Sequence, residues 1–219
     1  FPAGVEDVKS AIRFLRANAE KYGYDPERFA IWGESAGGYL SVICGASNDE
    51  EFNSVPFIGE DENNPVSSEV QVILNYYGCM EFGTQAADYK ELKIPKVVQW
   101  ASGLWLTDAI KDTGYNDVES YWMRKDVNTL TQEEKDTYSP LYYIQKNLTP
   151  ENSPSVLIWH GDADLSVPYL QSERLNELLT EQIRIMNQRH FGRKSEANLS
   201  EIDGQISLFD SFNEVEYLN

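Results

Sequence analysis

Apolar residues occur along this chain in two patterns, a helical spacing and short continuous runs. Near its start the apolar residues are three or four positions apart, and this spacing predicts a helix with one apolar face. These residues are Val5, Val8, Ile12, Leu15, Ala19 and Tyr22. Gly23 and the pair Asp25-Pro26 predict that the helix ends in a turn. The short apolar run from Phe29 to Trp32 then predicts a strand buried on both faces of a sheet.

Helices and strands continue to alternate beyond this first pair. The sequence predicts a helix over residues 36–46, a polar loop over 47–68, strands over 70–77 and 155–159, and a long helix that begins near Pro168. Short apolar strands separated by helices are typical of an α/β fold with a parallel sheet. Because crossovers between parallel strands are right-handed, we expect helices on both faces of that sheet.

The region between residues 79 and 154 breaks this alternation. Trp100, Trp105 and Trp122 lie there among charged and turn residues, with helix-like stretches near 94–106 and 117–127. We interpret the region as an inserted cap. Its aromatic residues are consistent with a bulky or aromatic ligand and equally with a packed core.

The composition and net charge of the chain disfavour certain classes of macromolecular partner. The chain of 219 residues has 36 acidic and 18 basic side chains, which gives a net charge of −18. Such a surface repels nucleic-acid backbones and anionic lipid, so we expect neither as a partner of the whole chain. No apolar stretch approaches the roughly 20 residues of a membrane span, and no leader pattern precedes the first helix. These features favour a cytoplasmic protein, although a missing N-terminal segment would leave the same pattern.

The chain contains two cysteines, Cys44 and Cys79. Two isolated cysteines make neither a disulfide scaffold nor a thiolate zinc site. We therefore expect Cys44 and Cys79 to be buried or free thiols. We also expect that the function of the chain requires no metal and no cofactor.

The stretch Gly33-Glu34-Ser35-Ala36-Gly37 fits the pattern G-x-S-x-G. It follows a predicted strand and opens a predicted helix, so we expect a tight turn that exposes the Ser35 hydroxyl as a nucleophile. The two glycines allow the strand and the helix to approach closely. The helix N-terminus favours negative charge, and the amide of Ala36 can donate to an oxyanion. The alternative is a glycine-rich turn that carries a solvated serine.

These residues resemble the nucleophile segment of the α/β-hydrolase superfamily. The stretches 1–45, 67–83 and 155–172 are similar to its small esterase and lipase branch, which includes bacterial feruloyl and acetyl-xylan esterases. The resemblance implies a partial α/β-hydrolase domain over about residues 1–172, with a cap-like insertion at about 79–154 and truncation at both ends. It also implies hydrolysis of a carboxylic ester through an acyl-serine intermediate, with Ser35 as the nucleophile and Ala36 in the oxyanion hole.

The segment from His160 to Pro168 resembles the H-G-x-x-D-x-x-V-P turn of that family. The resemblance implies that Asp164 is the acid of a catalytic triad, where it would orient the base and stabilise its cationic form. Asp162 is the alternative acid, although its place beside Gly161 is typical of a turn residue. The histidine of this motif holds the loop after the strand, so we expect a structural role for His160.

A serine hydroxyl needs a general base within hydrogen-bond reach. His190 is the other histidine of the chain, but no apolar strand precedes it. A helix from Pro168 to His190 would be about 33 Å long at ~1.5 Å per residue, which would place His190 far from Asp164. We therefore predict that His190 does not complete the triad.

The last part of the chain resembles a different family. Residues 174–217 are similar to the N-terminal part of a bacterial insertion-sequence transposase, through Phe191-Gly192-Arg193, Ser195-Glu196 and Ser207 to Phe209. We expect residues 173–219 to form a helical and irregular tail without a catalytic role. A basic cluster there permits contact with DNA but is also typical of a solvated helix end. It consists of Arg184, Arg189, Arg193 and Lys194.

Two functions follow from these resemblances. The first is a serine esterase acting on a small-molecule ester, with an incomplete site because the H-G-G-G-like oxyanion loop of the family is not found in the chain. The second is a non-catalytic chain whose C-terminal helix binds DNA or self-associates. A short parallel sheet would also leave open edges and apolar faces, through which we expect self-association.

Overall fold

The computed structural model describes residues 1–61, 63–95, 118–149 and 152–191, and for residues 118 and 186–191 it describes the backbone alone. The chain divides into two compact units, residues 1–178 and residues 179–219. The helices and strands, in chain order, are α1 (Ala3–Ala17), α2 (Ala19–Tyr22), β1 (Ala30–Glu34), α3 (Ala36–Ala46), β2 (Val72–Tyr76), α4 (Gln85–Glu91), α5 (Val118–Met123), α6 (Gln132–Tyr138), α7 (Pro140–Asn147), β3 (Ser155–Trp159) and α8 (Leu170–Phe191). A 3₁₀ helix, Val127–Thr129, lies between α5 and α6.

The described strands form one parallel sheet in the order β1-β2-β3. Their register aligns Glu34 with Tyr76 and Tyr76 with Trp159, so the three strands end at the same edge. Helix α3 packs against β1 and β2. The predicted α/β fold with a parallel sheet is confirmed, and the helix predicted over residues 36–46 has the observed bounds of α3.

The first predicted helix is divided between α1 and α2, and Gly23 ends α2 with a φ of 78°. Its buried face is the predicted one only in part, since Val5, Ile12 and Ala19 are buried as predicted. Leu15 and Tyr22 are 41% and 49% exposed, whereas Lys9 and Arg13 are 0% and 2% exposed. The apolar period therefore identified the helix and part of its buried face, but not the two buried cations.

These buried cations hold the polar loop that follows α3. The Lys9 ammonium donates to the carbonyl oxygens of Asn48 at 2.5 Å and Glu51 at 2.7 Å. One turn further along α1, Arg13 donates to Glu60 at 2.8 Å. Because the Lys9 ammonium meets three oxygens, including Ser47 Oγ, its burial is compatible with ionisation, although burial lowers its pKa. The loop is thus fixed by α1 rather than by secondary structure of its own.

Three glycines let α3 approach the strands through its backbone. A Cβ added at Gly38 would lie 2.6 Å from the Asn75 Oδ1 atom and 2.8 Å from the Tyr76 carbonyl oxygen. A Cβ at Gly78 would lie 2.6 Å from the Tyr39 nitrogen, on the other side of the same contact. Gly45 extends this helix–sheet contact by about two turns of α3, since a Cβ there would lie 2.5 Å from the Ile73 side chain. Larger residues would force the helix away from the sheet.

Gln171 connects the loop after β2 to the start of α8, and it is fully buried. Its Oε1 atom accepts hydrogen bonds from the amides of Met80 at 2.9 Å and Glu81 at 2.8 Å. Its Nε2 atom donates to Asp88 of α4 at 2.6 Å. Arg174 also donates to the Asp88 carboxylate, at 3.0 Å from Nη1. One side chain of α8 therefore satisfies polar groups of the loop after β2 and of α4, which lie 83 to 91 positions earlier in the chain.

Helices α4 to α7 occupy the described parts of residues 79–154. The helical stretch predicted near 117–127 corresponds to α5. Trp100, Trp105 and most of the stretch 94–106 lie outside the described residues. The interpretation of this region as a separate cap-like insertion stays a prediction.

The second face of the sheet is open at two tryptophans. Side chains alternate between the faces of a strand, so Trp32 lies on the face opposite to the buried Ile73 and Asn75. Trp32 and Trp159 are 61% and 64% exposed. The prediction that the first strand is buried on both faces is therefore wrong, and within the described part of the first unit no helix shields these two side chains.

Residues 179–191 are the part of the second unit that the structure describes, and they continue α8 as a helix. The predicted long helix is confirmed. Arg184 of the basic cluster pairs with Glu181 at 2.7 Å, and contact of this cluster with DNA stays a prediction. Among the described residues, every helix is too short or too polar to cross a membrane.

Replacement of Gly38 by alanine should destabilise the fold by about 1–3 kcal/mol, because the added methyl group overlaps backbone and side-chain atoms at the end of β2. Gly37→Ala is the matched control in the same helical turn, since a Cβ there meets nothing within 4 Å. It should leave stability unchanged or raise it by up to about 1 kcal/mol. Urea unfolding followed by circular dichroism measures both, and equal stabilities of the two variants would contradict the proposed contact.

The open sheet face should make the chain self-associate, because exposed tryptophans and unpaired strand edges favour association. Sedimentation velocity should show oligomers that shift toward monomer in a Trp32→Ser, Trp159→Ser double variant. Ile58→Ser is the control, since Ile58 is 97% exposed but lies in the loop before β2. A monomeric wild-type chain with a sharp thermal transition would argue against this expectation.

Candidate active site at the ends of the strands

Ser35 lies at the junction of β1 and α3 with a φ of 52° and a ψ of −115°. A positive φ is strained for a residue other than glycine, and such strain is concentrated at functional positions. Two hydrogen bonds hold the turn. The Ser35 amide donates to the Tyr76 carbonyl oxygen at 2.9 Å, and the Tyr39 amide donates to the Ser35 carbonyl oxygen at 3.0 Å. Neighbouring elements thus impose the conformation of Ser35.

Gly33 is required by the close contact across this turn. A Cβ at Gly33 would lie 2.1 Å from the Gly37 carbonyl oxygen, which no side chain could tolerate. A Cβ at Gly37, in contrast, would meet no atom within 4 Å. The predicted steric reason for the two glycines of the motif therefore holds for Gly33 and not for Gly37.

Ala36 is the first residue of α3, an 11-residue helix, and is exposed together with Ser35. The first amides of a helix have no partner within it, and the aligned peptide dipoles favour negative charge there. The Ala36 amide therefore lies at the N-terminus of α3, directly after Ser35 in the chain, where it can donate to an anionic oxygen. The role of Ala36 in an oxyanion hole stays a prediction.

Asp164 follows β3 and lies at the same edge of the sheet as Ser35. The register places Trp159 level with Glu34, two strands away. Adjacent strands are ~4.8 Å apart, so Ser35 and His160, each one residue beyond its strand, start about 10 Å from each other. The loop from residue 160 to residue 167 thus begins at the strand edge that carries the serine.

Hydrogen bonds fix the Asp164 carboxylate in this loop. Its Oδ1 atom accepts from the amides of Ser166 at 2.7 Å and Val167 at 3.0 Å. Its Oδ2 atom lies 3.5 Å from His160 Nε2. Burial raises the pKa of Asp164, but the hydrogen bonds from His160 and the two amides outweigh it and bring the pKa below its usual range. Asp164 therefore remains ionised at neutral pH.

His160 has both ring nitrogens engaged. Nε2 lies 2.8 Å from the Val167 carbonyl oxygen, to which it donates, and Nδ1 lies 2.7 Å from the Ser172 hydroxyl oxygen. Only 5% of the side chain is exposed. These contacts close the loop after β3 onto the start of α8, as expected for a structural histidine.

Two tyrosines that the sequence did not single out also belong to this site. The Tyr77 hydroxyl donates to Glu34 at 2.9 Å; this bond raises the pKa of Tyr77, and the charge of Asp164 adds to the effect. The Tyr89 hydroxyl of α4 donates to the Ser166 carbonyl oxygen at 2.5 Å, and burial raises the pKa of Tyr89 to about 12. No motif marks either residue, because their partners lie 43 and 77 positions away.

The general base is the part of the predicted site that stays open. His190 lies in the last turn of α8, within the second unit, and its side chain is not among those that the structure describes. The prediction that His190 does not complete the site therefore stays a prediction. Among the described residues, no group of three or more histidine, cysteine or acidic side chains is placed to hold a metal ion.

A strained serine between a parallel strand and a helix, with an acidic loop after a later strand, defines an α/β-hydrolase architecture. Residues 1–179 match the BD-FAE family model, which covers most of the chain. The chain therefore belongs to the BD-FAE family.

Curated relatives and solved structures agree with this assignment. Esterase LipQ of Mycobacterium tuberculosis is 26% identical over 179 residues, which are 82% of this chain and 34% of the relative. Esterase LipC of the same organism is 25% identical over 180 residues, 82% of this chain and 36% of the relative. A solved structure described as a bifunctional GH43-CE from Bacteroides eggerthii superposes with a TM-score of 0.61 at 25% identity, over 83% of this chain and 21% of that one. The chain thus spans about a third of the length of these curated relatives.

The family match ends at residue 179, near the start of the stretch that resembles a transposase. Most of that stretch, from residue 192 onward, lies outside the described residues. The transposase resemblance of residues 174–217 therefore stays a prediction, as does the irregular structure of the tail.

Replacing Asp164 with asparagine should lower stability at neutral pH by about 1–3 kcal/mol. The neutral side chain lacks the charge that strengthens the hydrogen bonds from two amides, and its NH₂ group would face His160 Nε2. The pKa of Asp164 is depressed on folding, so its contribution is present above the unfolded value of about 3.9 and is lost as the pH falls through the lower folded value. The difference between wild type and variant should therefore be full above about pH 5 and vanish in acid.

Asp162→Asn is the matched control, because Asp162 is an exposed residue of the same turn. Urea unfolding between pH 2 and pH 7 measures all three proteins. A pH-dependent loss of stability in Asp162→Asn, with none in Asp164→Asn, would mean that Asp162 is the anchored carboxylate.

Proposed function

We propose that this chain carries the nucleophile and the acid of a serine carboxylic-ester hydrolase, with Ser35 and Asp164 in these roles. The observation that supports this most is the φ of 52° at Ser35. Such a conformation costs about 1–3 kcal/mol and persists only where the surrounding structure enforces it. Family membership and the esterases among the relatives support the reaction class.

In the proposed reaction, Ser35 Oγ attacks the ester carbonyl carbon while its proton passes to a general base. The Ala36 amide donates to the oxyanion of the tetrahedral intermediate. Collapse of the intermediate expels the alcohol, which takes up the proton, and leaves an acyl-serine. Water then attacks the acyl carbon by the reverse sequence and releases the acid. Asp164 would orient the base and stabilise its cationic form.

We further propose that this site is incomplete and turns over slowly. His160 already has hydrogen-bond partners at both ring nitrogens, so it is a poor general base. The proposal uses one oxyanion donor from the described residues, the Ala36 amide. Each absent donor would cost about 2.7–4 kcal/mol of transition-state stabilisation. Covalent modification of Ser35 is therefore a better test than turnover.

A fluorophosphonate probe should label the folded full-length chain on Ser35, as mapped by peptide mass spectrometry. Ser35→Ala should abolish the label, and Ser54→Ala, a change at an exposed loop serine, should leave it unchanged. Labelling should also disappear in urea, because an unfolded chain has no activated hydroxyl. A folded chain in which Ser35 stays unlabelled would refute the proposed nucleophile.

The rate of fluorophosphonate labelling also tests whether His190 acts as the general base. His190→Asn should leave the labelling rate within about twofold of wild type if His190 takes no part. A loss of 100-fold or more, within the range that general-base catalysis contributes, would show that His190 completes the site. That result would overturn the proposal of an incomplete triad while leaving Ser35 as the nucleophile.

A further inference from the structure

A cavity of about 310 Å³ adjoins the start of α3. Its lining includes Ala36, whose amide is the proposed oxyanion donor, and is otherwise mainly aromatic or aliphatic. The lining residues that matter here are Ala36, Tyr39, Leu40, Phe82, Trp122 and Met123. A volume near 300 Å³ is at the small end of ligand pockets, so it suits one small apolar group.

Arg124 adds a positive charge to this apolar lining. Its guanidinium carbon lies 4.4 Å from the centroid of the Tyr121 ring, which also lines the cavity. Within the described parts of the chain the Arg124 guanidinium forms no ion pair, whereas the neighbouring Lys125 lies 3.9 Å from Glu134. An arginine stacked on a ring keeps its N–H groups available for a planar anion.

The charge of the chain makes this arrangement informative. With 36 acidic side chains against 18 basic ones, most cations can find a carboxylate, and the overall field repels anions. The Arg124 guanidinium, which lines an apolar cavity and forms no ion pair with the described residues, is a local exception to this repulsion of anions. A carboxylate is the common organic anion that matches its paired donors.

We propose that this cavity binds an ester whose apolar arm ends in a carboxylate, with the reacting carbonyl at Ala36 and the carboxylate at Arg124. The substrate class depends on the ester hydrolysis proposed above, but the binding of a carboxylate-tipped apolar group does not. A cavity that serves only as an apolar gap in the packing would bind neutral and anionic groups alike. Tighter binding of an anionic group than of a neutral one therefore distinguishes a carboxylate-binding site from a packing gap.

Methionine methyl groups labelled with ¹³C allow a direct test in the full chain. Met123 lines the cavity, whereas Met80 is fully buried and lies outside it. Titration with hexanoate and with its neutral isostere hexanamide, followed by NMR, should shift the Met123 signal and leave that of Met80 in place. Hexanoate should bind about two- to fivefold more tightly than hexanamide, the range for a solvent-exposed ion pair, and the preference should shrink in 1 M salt.

Matched variants assign that preference to one side chain. Arg124→Gln should bind the two probes equally, Arg124→Lys should retain part of the preference, and Lys125→Gln should retain all of it. Equal binding of the probes by wild type, an unchanged preference in Arg124→Gln, or no shift of Met123 with either probe at 50 mM would each overturn the proposal. Ser35→Ala should keep the hexanoate preference, so failure of the proposed chemistry would remain distinguishable from failure of this site.

Discussion

The site depends on how closely the backbone of α3 approaches the ends of β1 and β2. Side chains at Gly33 or Gly38 would overlap backbone atoms 2.1 to 2.8 Å away, so the helix can reach its position only without them. With α3 so close to the strands, the chain must turn sharply at Ser35, and the φ of Ser35 is 52°. The same contact fixes the start of α3, where the Ala36 amide lies. Packing of small residues therefore produces the geometry of the proposed nucleophile.

The acidic loop is supported by a separate set of contacts. His160 closes the loop onto Val167 and Ser172, and Tyr89 of α4 binds the Ser166 carbonyl oxygen. Behind them, the buried Gln171 joins α8 to the loop after β2. These polar groups are matched to one another over long sequence distances, which makes their positions mutually dependent. The carboxylate of Asp164 is therefore held by a network and not by one neighbour.

Charge is distributed unevenly in this acidic chain. Lys9 and Arg13 are buried because the loop after α3 supplies carbonyl and carboxylate oxygens around them. Arg124 instead lines an apolar cavity beside Ala36. The net charge of −18 makes the overall field repel anions, but the local chemistry depends on where the few cations lie.

The sequence by itself determined the strand–turn–helix around Ser35, the bounds of α3, the third strand and the long last helix, because local periodicity and glycine placement encode these features. It also pointed to Asp164 through a local motif. The sequence pattern could not predict the burial of Lys9 and Arg13 in α1 or the exposure of Trp32. It also could not predict the roles of Tyr77, Tyr89 and Gln171, since each of these depends on partners tens of residues away. Only the tertiary structure decided these features. Burial and hydrogen bonding depend on which distant segments pack together, and the apolar periodicity of one segment does not encode its packing partners.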